Sequence, residues 1–187
     1  LDKNQIYVID DFVDKKTQNQ LLEDLLKPNT PFFYSSSPPG IFSINDPKYI
    51  EPIGESQFCH GVKPLKTPFL KILENQFNFK ILETLRTKIN WVNRELVSSK
   101  NKFYPPHTDG PEDHWVFIYY FNTSDGNTLL FKETQNNPNP KYILNIQDSI
   151  EHKMGRGLLF HGYKYHCGLP PIENPYRILI NHNFIIK

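Results

Sequence analysis

From His114 onward the chain reads almost throughout as short β-strands separated by turns, and this pattern limits the folds open to it. His114-Trp115-Val116-Phe117-Ile118-Tyr119-Tyr120-Phe121 is the strongest strand signal, rich in β-branched and aromatic residues. Asn122-Thr123-Ser124-Asp125-Gly126-Asn127 reads as a turn with Asp-Gly at its core, and Thr128-Leu129-Leu130-Phe131 returns as a strand. A polar, proline-containing loop follows over 134–141. Residues 142–146, 149–153 and 157–160 are three further short strand candidates, and 177–184 closes the pattern as an apolar strand.

The first half differs. Ile6-Tyr7-Val8-Ile9 is a short strand, and Asp14 is a fair N-cap for a helix that carries Leu21, Leu22, Leu25 and Leu26 at helical spacing and stops at Pro28. Residues 28–64 are rich in proline and read as irregular loop with one or two short strands, long enough to suggest a lid. Thr67-Pro68 opens a second helix with Phe69, Leu70, Ile72, Leu73 and Phe77 on its apolar side. Residues 81–88 read as a further helical or mixed run, and 89–97 as extended. Helices followed by many short strands predict a mainly β fold, a β-sandwich or jelly roll backed by helices. The 187 residues suit one domain, with 1–90 as helical support and loop and 91–187 as the jelly-roll core.

Composition removes several function classes. The 21 basic and 20 acidic residues nearly cancel, so no global field draws the chain to nucleic acid or an anionic membrane. No apolar run approaches the length of a membrane span. Two cysteines, Cys59 and Cys167, are too few for a disulfide framework and favour a reducing, cytoplasmic compartment.

The chemistry-bearing segment is Phe103-Tyr104-Pro105-Pro106-His107-Thr108-Asp109. On an extended segment residues i and i+2 share a face, so His107 and Asp109 offer an imidazole nitrogen and a carboxylate oxygen toward one point. That is two-thirds of the 2-His-1-carboxylate triad that leaves positions open on Fe(II). Downstream, Gly157-Leu158-Leu159-Phe160-His161-Gly162-Tyr163-Lys164-Tyr165-His166 supplies two candidates for the third ligand, His161 and His166. Arg177, at the head of the last strand, offers a fork that matches a carboxylate in two bonds.

His-x-Asp, a long gap, a distal histidine and a basic residue about ten positions further on resembles the Fe(II)/2-oxoglutarate-dependent oxygenases, in the prolyl-4-hydroxylase-like branch. Ile118-Tyr119-Tyr120-Phe121-Asn122 is similar to the strand after His-x-Asp in that branch. Asp125-Gly126-Asn127-Thr128 is similar to its Gly-Gly-Thr-like turn with the second glycine replaced, and Gly155-Arg156-Gly157-Leu158-Leu159-Phe160 to the approach to the distal histidine. Tyr7-Val8-Ile9-Asp10-Asp11-Phe12 resembles the opening of small phage-type and bacterial members; for a viral chain the expected compartment is the host cytoplasm.

The resemblance implies a double-stranded β-helix with iron held by His107, Asp109 and His166, and 2-oxoglutarate paired through its distal carboxylate with Arg177. It also implies a hydrogen bond from Tyr120 to that carboxylate, with Asn181 lining the pocket and Asn93 contacting the co-substrate. Leu179 stands where some branches carry Ser. The implied activity consumes O2 and 2-oxoglutarate, hydroxylates an unactivated C–H bond of a small-molecule or peptidyl substrate, prolyl among them, and releases succinate and CO2. Two other readings stay open, a catalytically inactive cupin-like metal- or ligand-binding module and an oxygenase acting on nucleic acid, which the near-neutral charge disfavours.

Among the remaining residues, His114 is expected on an exposed loop, and His60, His152 and His182 in ordinary surface or core positions. Cys167 is expected as a small buried residue. Tyr119 and Tyr120 alternate faces, so one of them packs in the shell, and Trp115 suits either the site mouth or the core.

Overall fold

The computed structural model describes residues 1–28, 30–60, 67–94 and 101–187. The His60 side chain, the loop end at 61–64 and the extended reading of 95–97 lie outside the described residues. In chain order the elements are β1 (Tyr7–Ile9), α1 (Lys15–Leu25), β2 (Phe33–Ser37), β3 (Ser43–Ile44), β4 (Glu51–Pro52), β5 (Glu55–His60), α2 (Phe69–Phe77), β6 (Ile81–Asn93), β7 (Lys102–Phe103), β8 (Trp115–Tyr120), β9 (Ser124–Thr134), β10 (Ile143–Leu144), β11 (Ile146–His152), β12 (Gly157–His161), β13 (Lys164–Gly168) and β14 (Tyr176–Ile186).

Two sheets face each other as a jelly roll. The larger has the order β1-β12-β8-β14-β6-β5-β2, and the smaller is β11-β9-β13. Strands distant in sequence thus become neighbours, which is how the middle and the end of the chain meet at one site.

Period-2 alternation decides what each face does. On the large sheet, Phe117, Tyr119, Leu159, Ile178, Ile180 and Phe184 point outward and pack under the helices with Leu21, Leu25, Phe69 and Leu73. Val116, Ile118, Tyr120, Leu158, Phe160 and Leu179 point inward and meet Leu130 and Ile150 of the small sheet. Strand β8 is therefore covered on both sides and buried along its whole length, which explains its continuous apolar sequence. Tyr119 and Tyr120 do part to opposite faces. Trp115 is a core residue, 6.4 Å from the ring of Tyr7 on the helix side, away from the site.

Asp14 caps α1 as its sequence signal predicts, by accepting from the Thr17 amide at 3.0 Å. Thr67 does not cap α2: Pro68 occupies the N-cap, with no side-chain cap bond, and the helix ends on Asn78 in the left-handed conformation. Gly155, at φ +83°, makes the turn into β12, and a side chain there would strike the Gln18 amide.

Three expectations from the sequence need correction. Residues 81–88 are not helical: they begin the long strand β6, paired with β14 from Tyr176↔Asn93 to Ile186↔Ile81. The helix-like spacing of Leu82 and Leu85 misleads, because both are exposed and sit at irregularities in the β6–β14 register. Extended pairing with β14 outweighs local propensity.

Asp125-Gly126 is not a hairpin turn. It lies inside β9, and β8 and β9 belong to different sheets. The Asp125 carboxylate instead accepts from the backbone amides of Ile172, Glu173 and Asn174, closing one end of the roll. Finally, the described residues 30–60 hold four strands, β2 to β5, rather than one or two in an irregular loop, and β5 and β2 extend the large sheet beyond β6.

Candidate metal and co-substrate site

The site begins with a backbone bridge. His107 and His166 exchange N–H···O bonds, both at 3.0 Å, as an isolated antiparallel pair. Residues paired in this way project to the same side. On β13, alternation then sends His166 inward and Cys167 outward into the packing against Phe103, Leu129 and Phe131. The ring centroids of His107 and His166 are 4.6 Å apart.

Asp109 completes the cluster. Its Oδ1 is 3.8 Å from His107 Nε2, and its Oδ2 is 3.8 Å from His166 Nε2. One ligand atom from each of the three residues lies within 4.8 Å of the others. The other imidazole nitrogens are engaged by main-chain carbonyls: His107 Nδ1 is 2.9 Å from Pro105 O and His166 Nδ1 is 3.2 Å from Lys164 O. A carbonyl accepts, so Nδ1 carries the proton and Nε2 presents its lone pair to the centre of the cluster. Burial, with His107 alongside, pushes the His166 imidazole down to about 4, leaving it in the neutral, ligating form. Burial alone would raise the Asp109 carboxyl. At the low pH where this carboxyl titrates, the charges of His166, Arg86 and His107 and the Asn181 bond outweigh burial and hold it well below the usual carboxylate range.

Asp109 is fixed from both sides. Asn181 Nδ2 donates to Oδ2 at 2.8 Å, and the Arg86 guanidinium pairs with Oδ1. The Asp109 side chain is 1% exposed and that of His107 49%, so the cluster opens to solvent on the His107 side.

Behind the cluster a cavity of about 160 Å³ runs between the sheets to Arg177. Val92, Ile118 and Leu179 form its apolar wall. Arg177 is 3% exposed. Its Nη1 donates to Leu169 O at 3.0 Å, its Nη2 lies 3.5 Å from Thr128 Oγ1, and its Nε has no partner. Among the described residues no carboxylate lies within ion-pair distance of it. A buried guanidinium without a counter-ion is costly, and a bound carboxylate would relieve that cost. Gly168 makes room for the fork, because a Cβ there would strike Nη1.

The donor set fits a divalent metal that takes imidazole and carboxylate ligands, and Arg177 fits the far end of a dicarboxylate chelating that metal. Tyr120 lies one step away from the guanidinium: it is fully buried, and its hydroxyl donates at 2.9 Å to Thr128 Oγ1. Asn181 lines the cavity, with its amide directed to Asp109. Asn93 is a correction. It is exposed on the opposite face of β6 and accepts from Trp91 Nε1 at 2.9 Å, because the cavity face of β6 carries Arg86, Lys88, Asn90 and Val92.

His161, the alternative ligand, is elsewhere: its Nε2 is 2.7 Å from Asp113 Oδ1 and its ring packs edge-on against Trp115. His114 is another correction. It is 1% exposed, with Nδ1 2.7 Å from Glu112 O, and its ring occupies the space beside Gly162 that a side chain would need. His152 and His182 are core residues, the first 4.3 Å from the Tyr120 ring and the second bonded to Thr87. Arg86 and Lys88 were not anticipated. Read as a strand, the alternation Arg86-x-Lys88-x-Asn90-x-Val92 would have revealed them on one face.

No protein-family model matches the sequence, and no curated protein matches it significantly. Solved structures do match. The non-heme alpha ketoglutarate dependent epimerase SnoN from nogalamycin biosynthesis aligns with a TM-score of 0.66 and 10% identity over 98% of this chain and 78% of its own. SnoN has also been solved in complex with Fe3+, alpha ketoglutarate and nogalamycin RO. A Pseudomonas putida prolyl-4-hydroxylase aligns with a TM-score of 0.59 and 11% identity over 97% of this chain and 92% of its own. A Trichoplax adhaerens prolyl hydroxylase, in complex with a hypoxia inducible factor oxygen degradation domain peptide fragment, aligns with a TM-score of 0.59 and 15% identity over 97% and 84%. The chain thus shares its jelly-roll fold with these solved structures.

Proposed function

We propose that the protein is an Fe(II)- and 2-oxoglutarate-dependent oxygenase that hydroxylates an unactivated C–H bond of a small-molecule or peptidyl substrate, a prolyl side chain among the candidates. The observation that carries this reading is the presence, in one cavity, of the His107-Asp109-His166 cluster and the buried Arg177 guanidinium, which has no counter-ion among the described residues. A metal site alone would have no use for that guanidinium.

Each residue has a role in this reading. His107 and His166 give Nε2 to the iron and Asp109 gives a carboxylate oxygen, while Asn181 and Arg86 set the angle of that carboxylate. Arg177 binds the distal carboxylate of 2-oxoglutarate, with Thr128 beside it and Tyr120 holding the Thr128 hydroxyl. Ile118, Leu179 and Val92 keep the channel between them dry, which strengthens the ionic contact. Iron and 2-oxoglutarate, when bound, supply the O2-dependent oxidising chemistry, with succinate and CO2 as co-products. The exposed edge of His107 marks the side from which substrate enters.

Succinate formation from 2-oxoglutarate, dependent on Fe(II) and O2 and measured against a panel of peptides and metabolites, tests this reading. Asp109→Ala should abolish it. Succinate made by that variant at the wild-type rate would overturn the assignment, and metal binding by the wild type without any 2-oxoglutarate binding would favour a cupin-like binding module instead. The neighbours solved with a peptide fragment and with a small molecule support both substrate types.

A further inference from the structure

The face of β6 that looks into the cavity carries two cations, in addition to Arg177 on β14. Arg86 and Lys88 alternate with Asn90 and Val92 along it. Across the strand pair, Lys88 lies opposite Asn181, the residue that holds Asp109, whereas Arg177 lies opposite Val92. Four residues of strand separate Asn181 from Arg177, about 13 Å at the usual rise. Lys88 therefore stands level with the metal ligands, at the other end of the cavity from the 2-oxoglutarate anchor.

Charge balance shows what it is there for. The described lining holds three cations, Arg86, Lys88 and Arg177, and two carboxylates, Glu55 and Asp109. A divalent metal and the 2-oxoglutarate dianion neutralise each other, so one positive charge is left over. Arg86 is taken by Asp109, and Arg177 by the co-substrate in the reading above. Lys88 is half-buried, and among the described residues its Nζ makes no hydrogen bond or ion pair, with Glu55 or with any other group. An ammonium in the cavity lining with no protein partner is free to take an anion.

We propose that Lys88 binds a carboxylate of the primary substrate and so selects small carboxylic acids. The single surplus charge matches a carboxylate better than a phosphate monoester, which carries close to two at neutral pH. The proposal rests on the oxygenase reading for the identity of the other two occupants.

The test is an anaerobic calorimetric titration of the Fe(II)–2-oxoglutarate complex with N-acetyl amino acids and with the same compounds as carboxamides, in wild type, Lys88→Met and Lys88→Arg. The acids should bind wild type and the amides should not. Lys88→Met should weaken acid binding by about tenfold or more, as expected for loss of a charge-assisted bond, and Lys88→Arg should restore most of it. The affinity for 2-oxoglutarate, measured in the same samples, should stay within about twofold. Acids and amides binding alike, or no acid binding at about 10 mM, overturns the proposal. So does a Lys88→Met variant that loses 2-oxoglutarate rather than acid, because the lysine would then serve the co-substrate. Absence of metal-dependent 2-oxoglutarate binding in wild type would instead remove the oxygenase reading itself.

Discussion

Asn181 on the last strand donates to the carboxylate of Asp109 across the inside of the roll, at 2.8 Å. That bond fixes which oxygen faces His166, and it links the His107-Asp109-His166 cluster to the strand that also carries Arg177.

Replacing Asn181 with Ala should leave the three donors in place but release the carboxylate. Groups that orient metal ligands contribute about 10–100-fold to metal affinity. A loss of that size in Fe(II) titration, with an unchanged circular dichroism spectrum, is the expected outcome.

Arg177→Ala should separate metal binding from co-substrate binding. In wild type, 2-oxoglutarate at about 100 times its dissociation constant should stabilise the metal-loaded fold by about 2.7 kcal/mol. The variant should bind Fe(II) normally and show little of this stabilisation in a thermal-shift measurement. Removing a buried cation that has no protein counter-ion should cost the ligand-free fold little.

Gly168→Ala tests the space around the guanidinium without touching its charge. The added methyl would collide with Arg177 Nη1. The guanidinium has to shift, so 2-oxoglutarate affinity should fall while Fe(II) affinity, set by His107, Asp109 and His166, is retained. Parallel titrations with metal and co-substrate check both.

Stability should fall as pH drops from about 6.5 toward 4. Burial pushes the His182 imidazole down to about 4. Between these values the unfolded chain holds a proton that the native state lacks, so protons favour unfolding. The contribution of one such group is at most about 1.4 kcal/mol per pH unit. It is fully present above the unfolded value and is lost as pH approaches the folded one. His182→Phe, at a position already flanked by Phe69 and Phe117, should flatten the slope of denaturant midpoint against pH by one proton's share.

How much of this was legible in the sequence depended on the kind of signal. His107, Asp109 and Arg177 stood out as candidates because ligand chemistry restricts residue type. The residues alone left His161 and His166 both open, and only the structure brings His166 to the other two. The inner strands were readable because burial on both faces leaves continuous apolar runs. What failed was parity and partnership. Residues 81–88 show helix-like spacing, and only the pairing with β14 makes them a strand. Asn93 was assigned to the cavity, yet the face of β6 that enters it belongs to the even-numbered residues, a choice set by register rather than composition. Asp125-Gly126 has the form of a hairpin turn, but the chain changes sheets there instead. His114 looks solvated until Gly162 is found to leave room for its ring.

The bridge between His107 and His166 joins an edge strand of the small sheet to a segment outside both sheets, through two hydrogen bonds. A divalent ion held by both imidazoles and Asp109 would act there as a removable rivet, fastening the lip of the roll. Chelation should therefore loosen that lip first, and hydrogen exchange at the two histidine amides should quicken well before the helix-backed wall responds.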